Sequence, residues 1–125
     1  MPFKSAEFVS AVFRPRVAFV PVPDMAAWFE GVPEFCCRGL TLAEVDFAEA
    51  MAQGNRQRLR QAASLPIQEM PISSALKVEY VAIALVPPIQ YDAAFKLSEI
   101  YPVEFNQVFL QIAELTGAGQ NYVKP

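Results

Sequence analysis

Apolar residues recur along this chain in several rhythms, and each predicts a different element. The run Arg16-Val17-Ala18-Phe19-Val20-Pro21-Val22-Pro23 is short, rich in β-branched residues and ended by prolines, which reads as a strand. Neither Pro21 nor Pro23 can donate to a ladder. Their spacing of two puts both missing N–H groups on one side, so this strand belongs at a sheet edge. Glu34 to Arg38 reads as a second strand that pairs with Val17–Val22 into a small sheet. Between the two, Asp24 is placed to cap a helical turn through Met25-Ala26-Ala27-Trp28-Phe29, which Gly31 and Pro33 end.

From Leu42 onward the apolar spacing changes to three and four. Val45, Ala48, Met51 and Ala52 form one stripe, with Glu44, Asp46, Glu49 and Gln53 largely elsewhere. The start of this helix is specified several times over. Thr41 can accept from the Glu44 N–H while the Glu44 carboxylate reaches back to the Thr41 N–H, and Leu40 and Val45 occupy the staple positions. Gly54-Asn55 either stops the helix or kinks it, and the spacing of Leu59, Ala62 and Ala63 fits a helix that resumes until Pro66. Residues 64–73, with Pro66 and Pro71, read as a connector.

Ser74 can cap the next element, Ala75 to Val86, whose apolar residues at 76, 78 and 80–85 cover nearly every face. A central helix and a buried strand both fit, and the length favours the helix despite the β-branched residues. Pro87-Pro88 ends it, and Asp92 starts a short helix through Ile100. Pro102 opens a last helix with a stripe of Phe105, Val108, Phe109, Ile112 and Leu115, closed by Gly117. The predicted fold is mainly α with a small N-terminal β-hairpin or sheet (α+β) and four or five short helices. We read a single domain with an N-terminal extension (1–16), a small β region (17–40), a helical region (41–117) and a frayed tail (118–125).

Composition narrows the function classes. The chain has 125 residues, enough to bury very roughly two thirds of its unfolded surface without a metal or disulfide staple. Apolar residues make up 54%, with ten Phe, four Tyr and one Trp, more than a small domain easily hides, which leaves apolar surface for a partner. Ten basic against thirteen acidic residues give a formal charge of −3, which disfavours nucleic acid as a partner. The basic alternation Arg56-Gln57-Arg58-Leu59-Arg60 reads as a solvated surface. Cys36 and Cys37 are adjacent and have no third cysteine to pair with, so the thiols read as reduced and the protein as intracellular. The N-terminus lacks the pattern of a signal peptide, and the apolar run Val81 to Pro88 is far shorter than the roughly 20 residues of a membrane span.

Catalytic chemistry is thinly supplied. With no histidine, the commonest general base, zinc ligand and nucleophile partner are all missing. Glu44 and Glu49 fall on different faces of the helix, and Glu44 is committed to the cap. Gly117-Ala118-Gly119 lacks the Lys and Ser or Thr of a phosphate loop and follows a helix. Two cysteines alone cannot complete a four-ligand metal site, so neither a metal nor another cofactor is expected, and the chain reads as non-enzymatic. Trp28 and Phe29, in their proline- and glycine-flanked excursion, form either a satellite cluster or a partner hot spot. Together with Tyr91 and Phe95 of the short helix they are the candidate partner contacts.

The order of elements adds a family likeness. A strand ends in Val20-Pro21-Val22-Pro23, and a second leads into Arg38-Gly39-Leu40-Thr41-Leu42-Ala43-Glu44. A polar helix follows, then an apolar helix ending Ala84-Leu85-Val86, a short helix from Tyr91 to Glu99, and a last helix ending Ala113-Glu114-Leu115-Thr116-Gly117. This arrangement resembles the tail assembly chaperones of long-tailed bacteriophages over about residues 17–120. The chain departs from the usual pattern at Pro87-Pro88-Ile89-Gln90, where such proteins commonly carry an Asp- and Gly-containing turn, and residues 1–16 have no counterpart.

The resemblance implies a small, mostly helical protein of the host bacterial cytoplasm, made during virion assembly and absent from the finished particle. It implies binding to the hydrophobic tape measure protein and help in recruiting the tail-tube protein, with no catalytic residues; a homo-oligomer is a separate expectation. The competing expectation is a structural virion component or a small oligomeric adaptor, whose sign is a stable symmetric homo-oligomer that persists in particles.

Overall fold

The computed structural model describes residues 2–62 and 72–124. In chain order it contains α1 (Ser5–Ser10), β1 (Val12–Pro15), β2 (Val17–Pro21), a 3-10 turn (Pro23–Trp28), β3 (Glu34–Arg38), α2 (Leu42–Ala62), α3 (Ile72–Ala84), α4 (Tyr91–Ile100), α5 (Pro102–Ala118) and β4 (Gln120–Val123). The architecture is the predicted α+β, mainly helical with small antiparallel sheets near the N-terminus.

β2 and β3 pair antiparallel, with Val17 opposite Arg38 and Pro21 opposite Glu34. The Gly39 N–H donates to the Arg16 carbonyl and the Val22 N–H to the Pro33 carbonyl. Hydrogen-bonded pairs alternate along an antiparallel ladder, so the even-numbered residues of β2 face β3 and the backbone groups of Val17, Phe19 and Pro21 point away from it. The missing Pro21 N–H therefore falls on an edge that no other strand among the described residues pairs with, as predicted. The far side of β3 is closed differently: the Val86 N–H donates to the Cys36 carbonyl, and Leu85 bridges to Cys37.

One cluster joins the sheet to the helices. Val20, Val22, Met25, Cys37 and Leu40 meet Val78, Val81, Ala84 and Leu85 of the α3 segment, Ala94 and Leu97 of α4, and Phe105, Val108 and Ile112 of α5. Ile112, Val108, Val81, Val22 and Cys37 are fully enclosed. Each such aliphatic side chain stabilises the fold by about 1.5–3 kcal/mol relative to exposure. Where α5 meets the end of β3, a Cβ on Gly39 would stand 2.7 Å from the Leu115 carbonyl oxygen. The Leu40 N–H donates to the Thr116 hydroxyl there, so only glycine permits this approach. α2 packs on α3 through a separate small cluster of Ala52 and Ala75, flanked by Leu76, Tyr91 and Phe95.

The capping box forms as expected: the Thr41 N–H donates to the Glu44 carboxylate at 3.0 Å and the Glu44 N–H to the Thr41 hydroxyl at 3.2 Å. Other boundaries move. Pro23 opens the 3-10 turn and no side chain caps it, so Asp24 sits within the first turn instead of before it. Proline's fixed φ suits that first position. α3 begins at Ile72, which places Ser74 inside the helix and the segment's last residues outside any connector. Its helical state settles the helix-or-strand alternative. α4 begins at Tyr91 after Gln90, so Asp92 favours the positive helix start from inside the first turn without capping it.

α2 runs unbroken through Gly54-Asn55 to Ala62, while the expected resumption to Pro66 and most of the connector lie outside the described residues. Met51 is 40% exposed, which narrows the predicted α2 stripe to Ala48 and Ala52 with Val45 half-buried. α5 passes through Gly117, and the stop is Gly119 at φ +77°.

The largest correction concerns the chain ends. The tail expected to fray contains β4, which pairs antiparallel with β1 from Val12 opposite Val123 to Pro15 opposite Gln120. Rings continue the ladder: Phe3 to Phe8 at 5.2 Å, Phe8 to Phe13 at 5.2 Å, and Phe13 to Tyr122 at 5.6 Å between centroids.

Candidate partner surface

The four predicted contact residues do not form one patch. Trp28 ends the 3-10 turn 73% exposed, and its indole N–H donates to the Tyr101 hydroxyl at 3.1 Å. That bond ties the excursion to the junction of α4 and α5, where Ile100 and Val103 are also exposed on either side of Tyr101. Phe29, the next residue, turns the other way and meets Phe35 edge-on at 5.2 Å against the core. The two open readings of this pair thus divide between its members, Phe29 joining the core and Trp28 remaining accessible.

Tyr91 and Phe95 sit one turn apart on α4, half-buried against both core clusters. Phe95 also lines a groove of about 240 Å³ between α3, α4 and α5, with Val78 and Phe105 among its apolar walls and Ser74, Lys77, Ser98 and Asn106 around it. Both residues therefore contribute to packing, with part of each side chain still accessible. Sequence spacing could not separate that role from docking, because both need an aromatic at i and i+4.

Residues outside the predicted set make the larger surface. Phe3, Phe8, Val9, Val12 and Tyr122 are exposed, and α1, β1 and β4 contain no fully buried residue. Scattered exposed apolar side chains are ordinary, whereas rings in contact over two termini form a continuous apolar face. Its sequence signal is the recurrence of Phe at 3, 8 and 13, and the return of Tyr122 extends that run of rings onto the other terminus. Phe19 and Leu110, on β2 and α5, are exposed across a second groove of about 440 Å³. On α5, Lys77 of the neighbouring helix places its ammonium 5.3 Å from the Phe109 ring centre.

Arg38 and Glu44, polar groups beside the core, are partnered with each other. Arg38 donates through two guanidinium nitrogens to the Glu44 carboxylate, one of them at 2.8 Å. The same carboxylate holds the helix cap, so β3, the Gly39 turn and the start of α2 are fastened at one point. Those hydrogen bonds, Arg38 first, bring the Glu44 pKa down to about 2 despite partial burial. Burial, with Cys36 adding to it, pushes the Cys37 thiol up to about 11, which keeps it protonated and a poor nucleophile at neutral pH. Both cysteines are free. Among the described residues, no three His, Cys, Asp or Glu side chains gather as a metal site, and no helix is long and apolar enough to cross a membrane.

Compared with known proteins, the chain matches no protein-family model, and no curated protein or solved structure matches it.

Proposed function

We propose that this protein is a non-enzymatic assembly chaperone of a long-tailed bacteriophage, working in the host cytoplasm, which holds an apolar helical segment of the tape measure protein. The observation that carries the reading is the continuous aromatic face of Phe3, Phe8, Phe13 and Tyr122, laid on elements with no fully buried residue. A holding function needs accessible apolar area and no reaction chemistry, and an amphipathic helix laid on such a face is the recurring way to bury it. Trp28, with Ile100 and Val103 beside it, offers a second apolar contact area on the helical side. The order of elements from Val17 to Gly117 supports the same family of function. The tail-tube protein is the second proposed partner.

Co-expression with the long open reading frame expected next to this gene tests the proposal. The partner should become soluble with the wild-type chain and precipitate with a Phe8→Ser/Tyr122→Ser variant whose own melting curve is near wild type. A partner that stays equally insoluble in both cases, together with recovery of this protein from mature particles, would replace the chaperone with a structural virion component.

A further inference from the structure

A distinct surface, independent of the chaperone reading, is the outer edge of β2. The backbone N–H and C=O groups of Val17 and Phe19 point away from β3, and their side chains are exposed on the sheet's outer face. Pro15 and Pro21 bound this stretch and limit pairing to the residues between them. An open apolar edge of this kind is a template for another strand. Alongside it lies the groove lined by Phe19, Val20 and Pro21 on one side and by Gln107, Leu110, Gln111 and Glu114 of α5 on the other.

We propose that a second copy of this chain covers the edge, pairing β2 with β2 antiparallel about a twofold axis at Phe19. In that register Phe19 lies opposite its symmetry mate and Val17 opposite Pro21. The N–H of Phe19 then donates to the partner Phe19 carbonyl, and the N–H of Val17 to the partner Pro21 carbonyl. Pro21 has no N–H to return to the partner Val17 carbonyl, so each Val17–Pro21 pair carries one bond in place of two and that carbonyl is left to solvent at the end of the sheet. Each two-stranded sheet becomes half of a continuous four-stranded one, which meets the usual strand count for a stable sheet.

Charge selects the second copy over an unrelated strand. Arg14 and Arg16 stand at one end of β2, with the Arg16 Nε buried and lacking a hydrogen-bond partner. Asp24 and Glu34 stand at the other end. A twofold axis brings the basic end of each copy to the acidic end of its mate, and the pairing is therefore self-complementary. A register shifted by two residues preserves backbone bonds but sets the opposite charges out of step.

Sedimentation of the full chain from about 1 to about 200 µM should show a reversible monomer–dimer equilibrium. Phe19→Pro removes an N–H that the β2–β3 ladder does not use, and it should weaken the dimer about tenfold or more with the circular dichroism spectrum unchanged. Phe19→Lys provides the same test should proline perturb folding. Arg14→Asp and Asp24→Arg should each weaken the dimer, and the double variant should recover it. A monomer at every concentration would overturn the proposal, as would a dimer that both Phe19 variants leave intact.

Discussion

The body formed by β2, β3, α3, α4 and α5 and the ribbon formed by α1, β1 and β4 use the same kinds of residue with opposite results. In the body, the alternation of Ala18 and Val20 inward with Val17 and Phe19 outward meets a helical layer, and Val108 and Ile112 become fully enclosed. In the ribbon, Phe13 and Tyr122 meet each other across a two-stranded sheet, Phe8 of α1 adds its ring to Phe13, and both Phe8 and Tyr122 stay exposed. An isolated two-stranded sheet is marginal in water. Apolar side chains thus stabilise the body by leaving water, while those of the ribbon remain available to something outside it. The distinction follows from what lies above each sheet, not from hydrophobicity.

The sharpest way to break the comparison is to remove mass from the body. Ile112→Ala should destabilise the protein by about 3–4 kcal/mol in urea unfolding, through lost burial and the cavity left behind. A loss below about 1 kcal/mol would mean that α5 does not seal the body. Gly39→Ala should follow at about 2 kcal/mol, because its methyl meets the Leu115 backbone oxygen, which cannot swing aside as a side chain can. Near-wild-type stability for this variant would show that the close approach of α5 and β3 is relaxed in solution.

Thr41→Ala should lower stability by about 1 kcal/mol, as for other lost N-terminal caps. The same corner provides a pH test. Glu44 titrates at about 2 in the folded chain against an ordinary 4.5, so its contribution is present above the unfolded value and disappears as pH falls from about 4.5 towards 2. Glu44→Gln should flatten the stability profile in that window, and an unchanged slope would exclude the Arg38 pairing as a stabilising contact. The smallest effect is expected in the ribbon: Tyr122→Ala should change global stability by less than about 0.5 kcal/mol. Amide exchange at Gln120–Val123 should open well below the global unfolding free energy. A large Tyr122 effect would place the ribbon inside the cooperative body and remove the contrast.

Much of the body was legible because its signals are local. The Thr41–Glu44 box needs only four consecutive residues, and the α5 stripe and the edge prolines of β2 need only periodicity. Asp24, Ser74 and Asp92 show where local reasoning stops. Each is a competent cap, but the neighbouring chain took helical geometry one or two residues earlier, and a cap left to solvent costs little at an exposed terminus. Of the predicted contact residues, Trp28 remained exposed while Phe29 turned to Phe35, a choice that adjacent residues of one short turn do not announce.

By itself the sequence determined the class of fold, the start of α2, the partnership of β2 with β3 and the polarity of the α5 face. These depend on hydrogen bonds and periodicities that close within a few residues or between neighbouring runs. Only the tertiary structure decided that the two ends of the chain meet. The pairing of Val12 with Val123 joins segments more than a hundred residues apart, and neither carries a pattern that names the other. The same holds for Gly39, whose need to be glycine comes from the Leu115 backbone arriving from α5, and for the outer edge of β2, which no other strand among the described residues pairs with. Contacts of that kind depend on where the packed core places the backbone, and that placement is a property of all the elements together.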